Sequence, residues 1–141
     1  MRLKRKCLCL VLLIICVVVL ILTNKPKQVE FGDFKWVVVK NNVSRVEDRT
    51  TGKTILSGEI LLWGEYPLLV GQIEVSPFLP QFFIYDCKAH VCSLFPDNDS
   101  FQKQSGYSVP LNNLVTLQTL LNPELGSQKL RILADNMKDA K

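Results

Sequence analysis

Two cysteines five positions apart, Cys87 and Cys92, form the spacing in this sequence that most clearly predicts a chemical bond. Residues 86–92 have the pattern of a β-hairpin, and a two-residue turn at Ala89 and His90 would place the cysteines opposite each other. Facing positions that are not hydrogen-bonded have Cα atoms about 4.5 Å apart, which is within disulfide range. Ala-His is a poor type I′ turn, so a wider four-residue loop is an equal alternative that also permits the bridge. We predict a structural disulfide between Cys87 and Cys92.

Other cysteine chemistry fits this pair less well. A redox-active dithiol usually has the Cys-x-x-Cys spacing at a helix start, and neither feature is present here. A metal site formed by Cys87, His90 and Cys92 would have three ligands within six residues, but the chain has no second histidine to complete it. We therefore predict neither a metal site nor a cofactor.

The hairpin tip also carries Lys88 and His90, which we expect to be exposed and which are candidates for a recognition tip. His90 is the only histidine, and the sequence shows no nucleophile motif that would make it a general base. Glu47 and Asp48 are adjacent, so their side chains would point to opposite faces of a strand. The sequence therefore predicts no catalytic residues.

Two further motifs are weak. Residues 97–99 resemble the start of a calcium-binding loop, but the sixth and twelfth places hold Gln102 and Ser108 in place of glycine and glutamate. A polar turn is the better interpretation. Glycosylation sequons begin at Asn42 and Asn98, and they have meaning only in a eukaryote, whereas the short basic and apolar start of the chain is more typical of a bacterium.

The positive charge of the chain is confined to its first residues. The formal net charge of +4 equals the contribution of four basic residues, because the 17 lysines and arginines less these four match the 13 acidic residues. They are Arg2, Lys4, Arg5 and Lys6. The rest of the chain is formally neutral, which excludes the basic surface expected of a nucleic-acid-binding protein.

The run of residues 7–22 contains only apolar residues and cysteines. As a helix it would be about 24 Å long, a little shorter than the ~30 Å hydrocarbon core of a bilayer. We predict a transmembrane signal anchor over residues 7–23, preceded by a cytoplasmic basic segment, residues 1–6. A cleaved signal peptide is the alternative, but residues 20–26 lack the small residues of a cleavage site. Lipidation at Cys16 is disfavoured because the apolar run continues beyond it.

The basic cluster before the helix predicts a cytoplasmic N-terminus, because the positive side of a single span faces the cytoplasm. Residues 24–30 would then be a short tether, and residues 31–141 would form one domain in the periplasm or outside the cell. This localisation, at an inner or plasma membrane, independently favours the disulfide.

The extracytoplasmic segment begins with strand signals and ends with helix signals. Aromatic and β-branched runs separated by turn residues predict strands at 34–40, 43–48, 54–62, 68–75, 81–87 and 91–95, with a bend at 77–80. Residues 82–85 are apolar on both faces, which indicates a central strand covered on both sides. Helical periodicity predicts one helix over 111–121 and a second from Ser127, although 128–138 is also compatible with a strand. The fold class is therefore α+β, an antiparallel meander of about five or six strands with one or two C-terminal helices packed on it.

Two function classes are compatible with these features. The favoured one is a non-enzymatic, membrane-anchored module of the bacterial envelope that binds another protein, as an accessory subunit, an inhibitor or an immunity-type protein. The alternative is an envelope hydrolase whose site is assembled only by the fold. A deep pocket that gathers Glu59, Glu65, Asp86 or His90 would favour the hydrolase, whereas a flat surface would favour binding.

Overall fold

The computed structural model describes residues 2–74, 80–106 and 111–138. Most of the predicted bend at 77–80 lies outside these ranges. The last residue of the strand predicted at 68–75 lies outside them as well. The domain is α+β, as predicted, with an antiparallel sheet in which seven strands follow each other in chain order. The strands are β1 (Gln28–Phe31), β2 (Phe34–Lys40), β3 (Val43–Asp48), β4 (Lys53–Glu65), β5 (Leu68–Glu74), β6 (Gln81–Asp86) and β7 (Val91–Phe95).

The N-terminal segment forms one helix, α1 (Arg2–Thr23), whose large apolar side chains between positions 8 and 22 are all at least 47% exposed. Within the ranges that the structure describes, no helix combines the length and the apolar character needed to cross a membrane.

The sheet bends within β4, which is its longest strand. The first part of β4 pairs with β3 and the second part with β5. The bend is at Gly58, whose φ of +156° and whose close approach to the Glu74 carbonyl both exclude a side chain. The two halves of the sheet thereby enclose one core, in which Trp36, Leu62 and Phe83 are fully buried.

The C-terminal part of the chain packs on strands β1, β2 and β4 of this sheet. It consists of a 3₁₀ turn (Leu111–Asn113), a short strand β8 (Val115–Thr116) paired with β4, and helices α3 (Leu117–Leu121) and α4 (Gly126–Asn136). Helix α4 packs on β1 and β4, with Leu133 buried in the main core. Gly64 makes this packing possible, because a Cβ there would collide with Met137.

Strand β6 is covered on both faces, as its sequence predicts. Phe83 and Tyr85 lie in the main core, while Phe82 and Ile84 pack against a second cluster formed by Phe95 with Phe101 of helix α2. Helix α2 (Asn98–Ser105) begins where a polar turn was predicted, and Asp97 is its N-cap. The predicted central position of β6 was wrong, since β6 lies next to the edge strand β7. Its second face is covered by helix α2 and not by another layer of strands.

Several predicted boundaries were wrong; for example, β4 runs over Lys53–Glu65 where a strand was predicted at 54–62. The domain begins inside the predicted tether, because β1 pairs residues 28–31 with β2. Within the segment 111–121, where one helix was predicted, the α-helix begins only at Leu117, because Val115 and Thr116 pair with β4 as strand β8. The ambiguous segment 128–138 is helical as far as Asn136, in a helix α4 that begins at Gly126 and not at Ser127.

The sheet has two ends that are separated by the length of its strands, roughly 17 Å along β3. At the tether end, the Lys27 carbonyl accepts a hydrogen bond from Val38, next to the β2–β3 turn at Asn41 and Asn42. At the distal end lie the turns that follow β1, β3, β4 and β6, which converge around Asp48. The chain therefore enters the domain at one end, and the hairpin that carries Lys88 and His90 lies at the other.

Candidate functional site

The β6–β7 hairpin has a four-residue turn, residues 87–90, which we call the tip. Tyr85 pairs with Cys92 and Asp86 with Val91, so of the two predicted turns the wider, four-residue loop is present and Cys87 is not paired with Cys92. The reason is local. The Asp86 carboxylate accepts hydrogen bonds from the amides of Lys88 and Ala89 at 2.8 and 3.0 Å, and His90 has a left-handed φ of +55°.

The two cysteines of the hairpin are half-buried free thiols that pack on the main core. They are on the same face of the hairpin, because Cys92 is opposite Tyr85 and Cys87 follows Tyr85 by two residues. Burial raises the pKa of the Cys87 thiol to about 12, with further contributions from Asp86 and Asp48, and raises the pKa of Cys92 to about 11. The disulfide between them stays a prediction.

A buried carboxylate lies beneath the tip. Asp48, the last residue of β3, is only 2% exposed. Its Oδ1 accepts hydrogen bonds from the Thr50 amide at 2.8 Å and the Thr50 hydroxyl at 2.6 Å, and the Thr51 amide is at 3.3 Å. Asp48 therefore organises the β3–β4 turn through one oxygen and leaves the other for groups from elsewhere in the chain.

The second oxygen of Asp48 binds residues of the β6–β7 hairpin. The Tyr85 hydroxyl donates to Asp48 Oδ2 at 2.6 Å, and His90 Nδ1 lies 3.0 Å from the same oxygen and 3.2 Å from the Tyr85 hydroxyl oxygen. A carboxylate acceptor favours the form of His90 that carries a proton on Nδ1, so Nε2 is the nitrogen available to a partner.

These hydrogen bonds keep the site in a defined ionisation state. Burial alone would raise the pKa of Asp48, but hydrogen bonds from Thr50, Tyr85 and His90 outweigh it and hold that pKa well below its usual range. Burial and the neighbouring Asp48 carboxylate raise the pKa of Tyr85 above its usual range. At neutral pH the site is therefore a carboxylate and a neutral phenol.

A small cavity adjoins this cluster. Its volume is about 60 Å³, which corresponds to roughly two water molecules. Besides Asp48 and His90, it is lined by Asp33, Phe34, Thr50, Tyr66, Cys87 and Met137. Over the described residues, no group of three or more histidine, cysteine, aspartate or glutamate side chains is arranged to hold a metal ion.

The residues singled out in the sequence occupy different parts of the molecule. Lys88 and His90 are exposed at the tip, with the Lys88 ammonium 5.8 Å from the centre of the Tyr66 ring and the His90 side chain 45% exposed. Glu65 and Asp86 lie near the tip, because Leu68 of β5 pairs with Glu65 of β4 on one side and with Asp86 of β6 on the other. Glu59 lines a separate cavity at the tether end, so the fold does not gather the four candidate polar residues in one pocket. The four basic residues at 2, 4, 5 and 6 lie in the first two turns of α1.

The sequence did not identify Asp48, Thr50 and Tyr85 as site residues. A local signal exists for the first two, since an aspartate two residues before a threonine at a strand end is typical of a side-chain-capped turn. No local signal connects Asp48 with Tyr85 or His90, which are 37 and 42 positions away. Only the pairing of the strands brings these residues together.

Comparison of the chain with models of protein families, with curated proteins and with solved structures gives no match.

Proposed function

We propose that this protein is a membrane-anchored recognition module of the cell envelope. In this proposal α1 fixes the domain to the membrane, and the distal end, with Lys88 and His90 at its tip, binds another protein. The observation that carries the proposal is the hydrogen bonding that orders the tip at the end of the domain opposite the tether.

The anchoring role of α1 is supported by its surface. Its apolar side chains are exposed on all sides between positions 8 and 22, and a helix that is apolar on all sides requires a lipid or protein environment. The apolar run is shorter than a typical span, and a bilayer accommodates a short span by local thinning at a modest cost in free energy. Because these basic residues favour the cytoplasmic side, the domain would be periplasmic or extracellular.

The recognition role of the tip is supported by its order. Asp86 holds two amides of the turn, and Asp48 holds His90 from beneath. A turn that is already fixed loses little conformational freedom on binding, which favours affinity. The Lys88 ammonium and His90 Nε2 would then be presented to a partner at fixed positions.

The shape of the distal end favours a protein partner over a small molecule. The cavity beside His90 has a volume of about 60 Å³, whereas small-molecule sites usually have volumes of about 300–1,000 Å³. Residues 88–90 are exposed beside this cavity. An exposed turn that is held by hydrogen bonds is suited to contact with a complementary surface of another protein.

Site-specific photo-crosslinking in cells tests this proposal. A photoreactive amino acid is placed at Ala89 in the full-length chain, and a matched variant carries it at Gln128, an exposed position of α4. We expect a discrete crosslinked protein from position 89 in the membrane fraction and none from position 128. Combining position 89 with Lys88→Ala and His90→Ala should remove the product.

Identical crosslinking patterns from positions 89 and 128 would contradict a dedicated tip. A crosslinked product that persists unchanged after Lys88→Ala and His90→Ala would show that these two side chains do not recognise the partner.

A further inference from the structure

The tether end of the domain carries an exposed apolar pair on the β2–β3 hairpin. Val39 is 52% exposed and Val43 is 38% exposed. Val39 is the extra residue of a β-bulge, since Val38 pairs with Ser44 and Lys40 pairs with Val43. A bulge redirects a side chain out of the regular alternation of the strand. At this bulge the side chain of Val39 is exposed.

Three lysines belong to the segments next to this pair. Lys25 and Lys27 lie in the tether and Lys40 at the end of β2, and all three are exposed. Within the described ranges, none of them forms a salt bridge. Two carboxylates also lie at this end: Glu59, which lines one cavity with Val43 of the neighbouring strand, and Glu74, which pairs with Glu59 from β5. Together, these three lysines and two carboxylates leave an excess of one positive charge at this corner of the domain, although the domain as a whole is formally neutral.

The position of this corner relative to α1 is limited by the chain. Only residues 24–27 separate the end of α1 at Thr23 from the hydrogen bond between the Lys27 carbonyl and Val38 at 2.9 Å. Four residues span at most about 14 Å. Lys27, which is hydrogen-bonded to Val38 of the same hairpin, must therefore stay within that distance of the end of the helix.

We infer that the tether end docks on the headgroup layer of an anionic phospholipid membrane, with Val39 and Val43 at the interface and Lys25, Lys27 and Lys40 facing lipid phosphates. The inference rests on the anchoring by α1 proposed above, which brings the corner to the lipid surface. Basic residues near an anionic surface are attracted to it over about one Debye length. Docking at this end would direct the tip away from the membrane, toward a partner.

Fluorescence of the full-length protein in lipid nanodiscs tests the inference. An environment-sensitive fluorescent amino acid is incorporated at position 43, and the matched control carries it at position 91, where Val91 is 54% exposed at the distal end. In nanodiscs of phosphatidylcholine with phosphatidylglycerol, we expect a shift to shorter wavelength and quenching by brominated lipid at position 43 only. The double variant Lys27→Glu with Lys40→Glu should remove both signals, whereas Lys53→Glu at the distal end should not.

The contribution of charge has an expected size. Each lysine at an anionic surface should favour docking by about fivefold, so nanodiscs of phosphatidylcholine alone should show a much smaller fraction of docked corner. Equal signals at positions 43 and 91 in anionic nanodiscs would overturn the inference. Docking that survives Lys27→Glu with Lys40→Glu would overturn the role of the lysines.

A third labelled position separates this inference from the anchoring proposal. The same fluorophore at position 15, in the middle of α1, reports whether the helix lies in lipid. Lipid contact at 15 without contact at 43 would contradict only the docking of the corner. Absence of lipid contact at 15 would overturn the anchoring and the docking together.

Discussion

His90 Nδ1 lies 3.0 Å from Asp48 Oδ2, although 42 positions of sequence separate the two residues. Asp48 ends β3 in one half of the bent sheet, and His90 belongs to the tip of the β6–β7 hairpin in the other half. The Tyr85 hydroxyl binds the same carboxylate oxygen at 2.6 Å. The buried carboxylate therefore connects the two halves of the sheet at the distal end and fixes the tip.

Replacement of Asp48 should destabilise the domain. Asp48→Asn keeps the size of the side chain. It replaces one carboxylate oxygen, which accepts hydrogen bonds in the parent, with an NH₂ group that can only donate them. Because hydrogen bonds to a buried charged group contribute about 1.5–3 kcal/mol each, we expect the free energy of unfolding to fall by about 2–3 kcal/mol. Denaturant unfolding of the detergent-solubilised protein, followed by the fluorescence of buried Trp36, measures the change.

Glu47→Gln is the matched control for this variant. Glu47 precedes Asp48 on β3 and pairs with Arg45 at the surface, so its replacement should change the free energy of unfolding by about 0.5 kcal/mol or less. Equal effects of the two substitutions would show that Asp48 has no special structural role.

The same carboxylate predicts an acid-sensitive stability. The pKa of Asp48 is lowered in the folded protein, whereas an unfolded aspartate titrates near about 3.9. The stabilisation is therefore complete above that value and is lost as the pH falls through it toward the lower folded pKa. Unfolding curves between pH 7 and pH 2 should show a steeper acid loss for the parent than for Asp48→Asn, and parallel curves would contradict this assignment.

The meander could be predicted from the sequence because each hairpin is specified locally. The strands Phe34–Lys40, Val43–Asp48 and Val91–Phe95 have the predicted limits, since aromatic and β-branched runs end at residues that tolerate a turn. Asn41 and Gly52 have the positive φ that their types suggested. Strand β1 was missed because its four residues depend on pairing with β2 for their structure.

The site could be predicted only in its exposed part. Lys88 and His90 are in a turn that the sequence indicates, but the partner that fixes His90 comes from a different hairpin. Leu114 and Val115 match a helical stripe by periodicity, yet pairing with the free side of β4 places Val115 in a strand. In both cases a contact between distant residues decides the structure, and local patterns carry no information about it.

The predicted disulfide between Cys87 and Cys92 can be tested directly. The thiols lie on one face of the hairpin, and closing a loop of this size should contribute about 2 kcal/mol to stability. Mass spectrometry of peptides from the non-reduced native protein should find them linked, and Cys87→Ala with Cys92→Ala should lower the melting temperature while crosslinking from position 89 persists. If both cysteines are alkylated when the protein is denatured without a reducing agent, the bridge is absent.

The raised pKa values of the two thiols predict that the bridge forms slowly in the folded protein. The thiolate is the attacking species in thiol–disulfide exchange, and pKa values of about 12 and about 11 leave few thiolates at neutral pH. We expect reduced, folded protein to be oxidised by glutathione disulfide much more slowly than the same protein in denaturant. Equal rates in the two conditions would show that burial does not protect the thiols.

The N-terminal helix should remain in the mature protein. Residues 20–26 contain no pair of small residues that a signal peptidase would select. Intact-mass measurement on protein purified from membranes should give the full chain, with or without Met1. A mature chain that begins near Asn24 would contradict the anchor.

The side of the membrane on which the domain lies is the most direct test of the account as a whole. Reporter fusions after Lys141 compare an enzyme that is active only outside the cytoplasm with one that is active only inside it. Because Arg2, Lys4, Arg5 and Lys6 precede the apolar run, we predict activity of the external reporter alone. Activity of the cytoplasmic reporter alone would contradict the anchored, outward-facing recognition module.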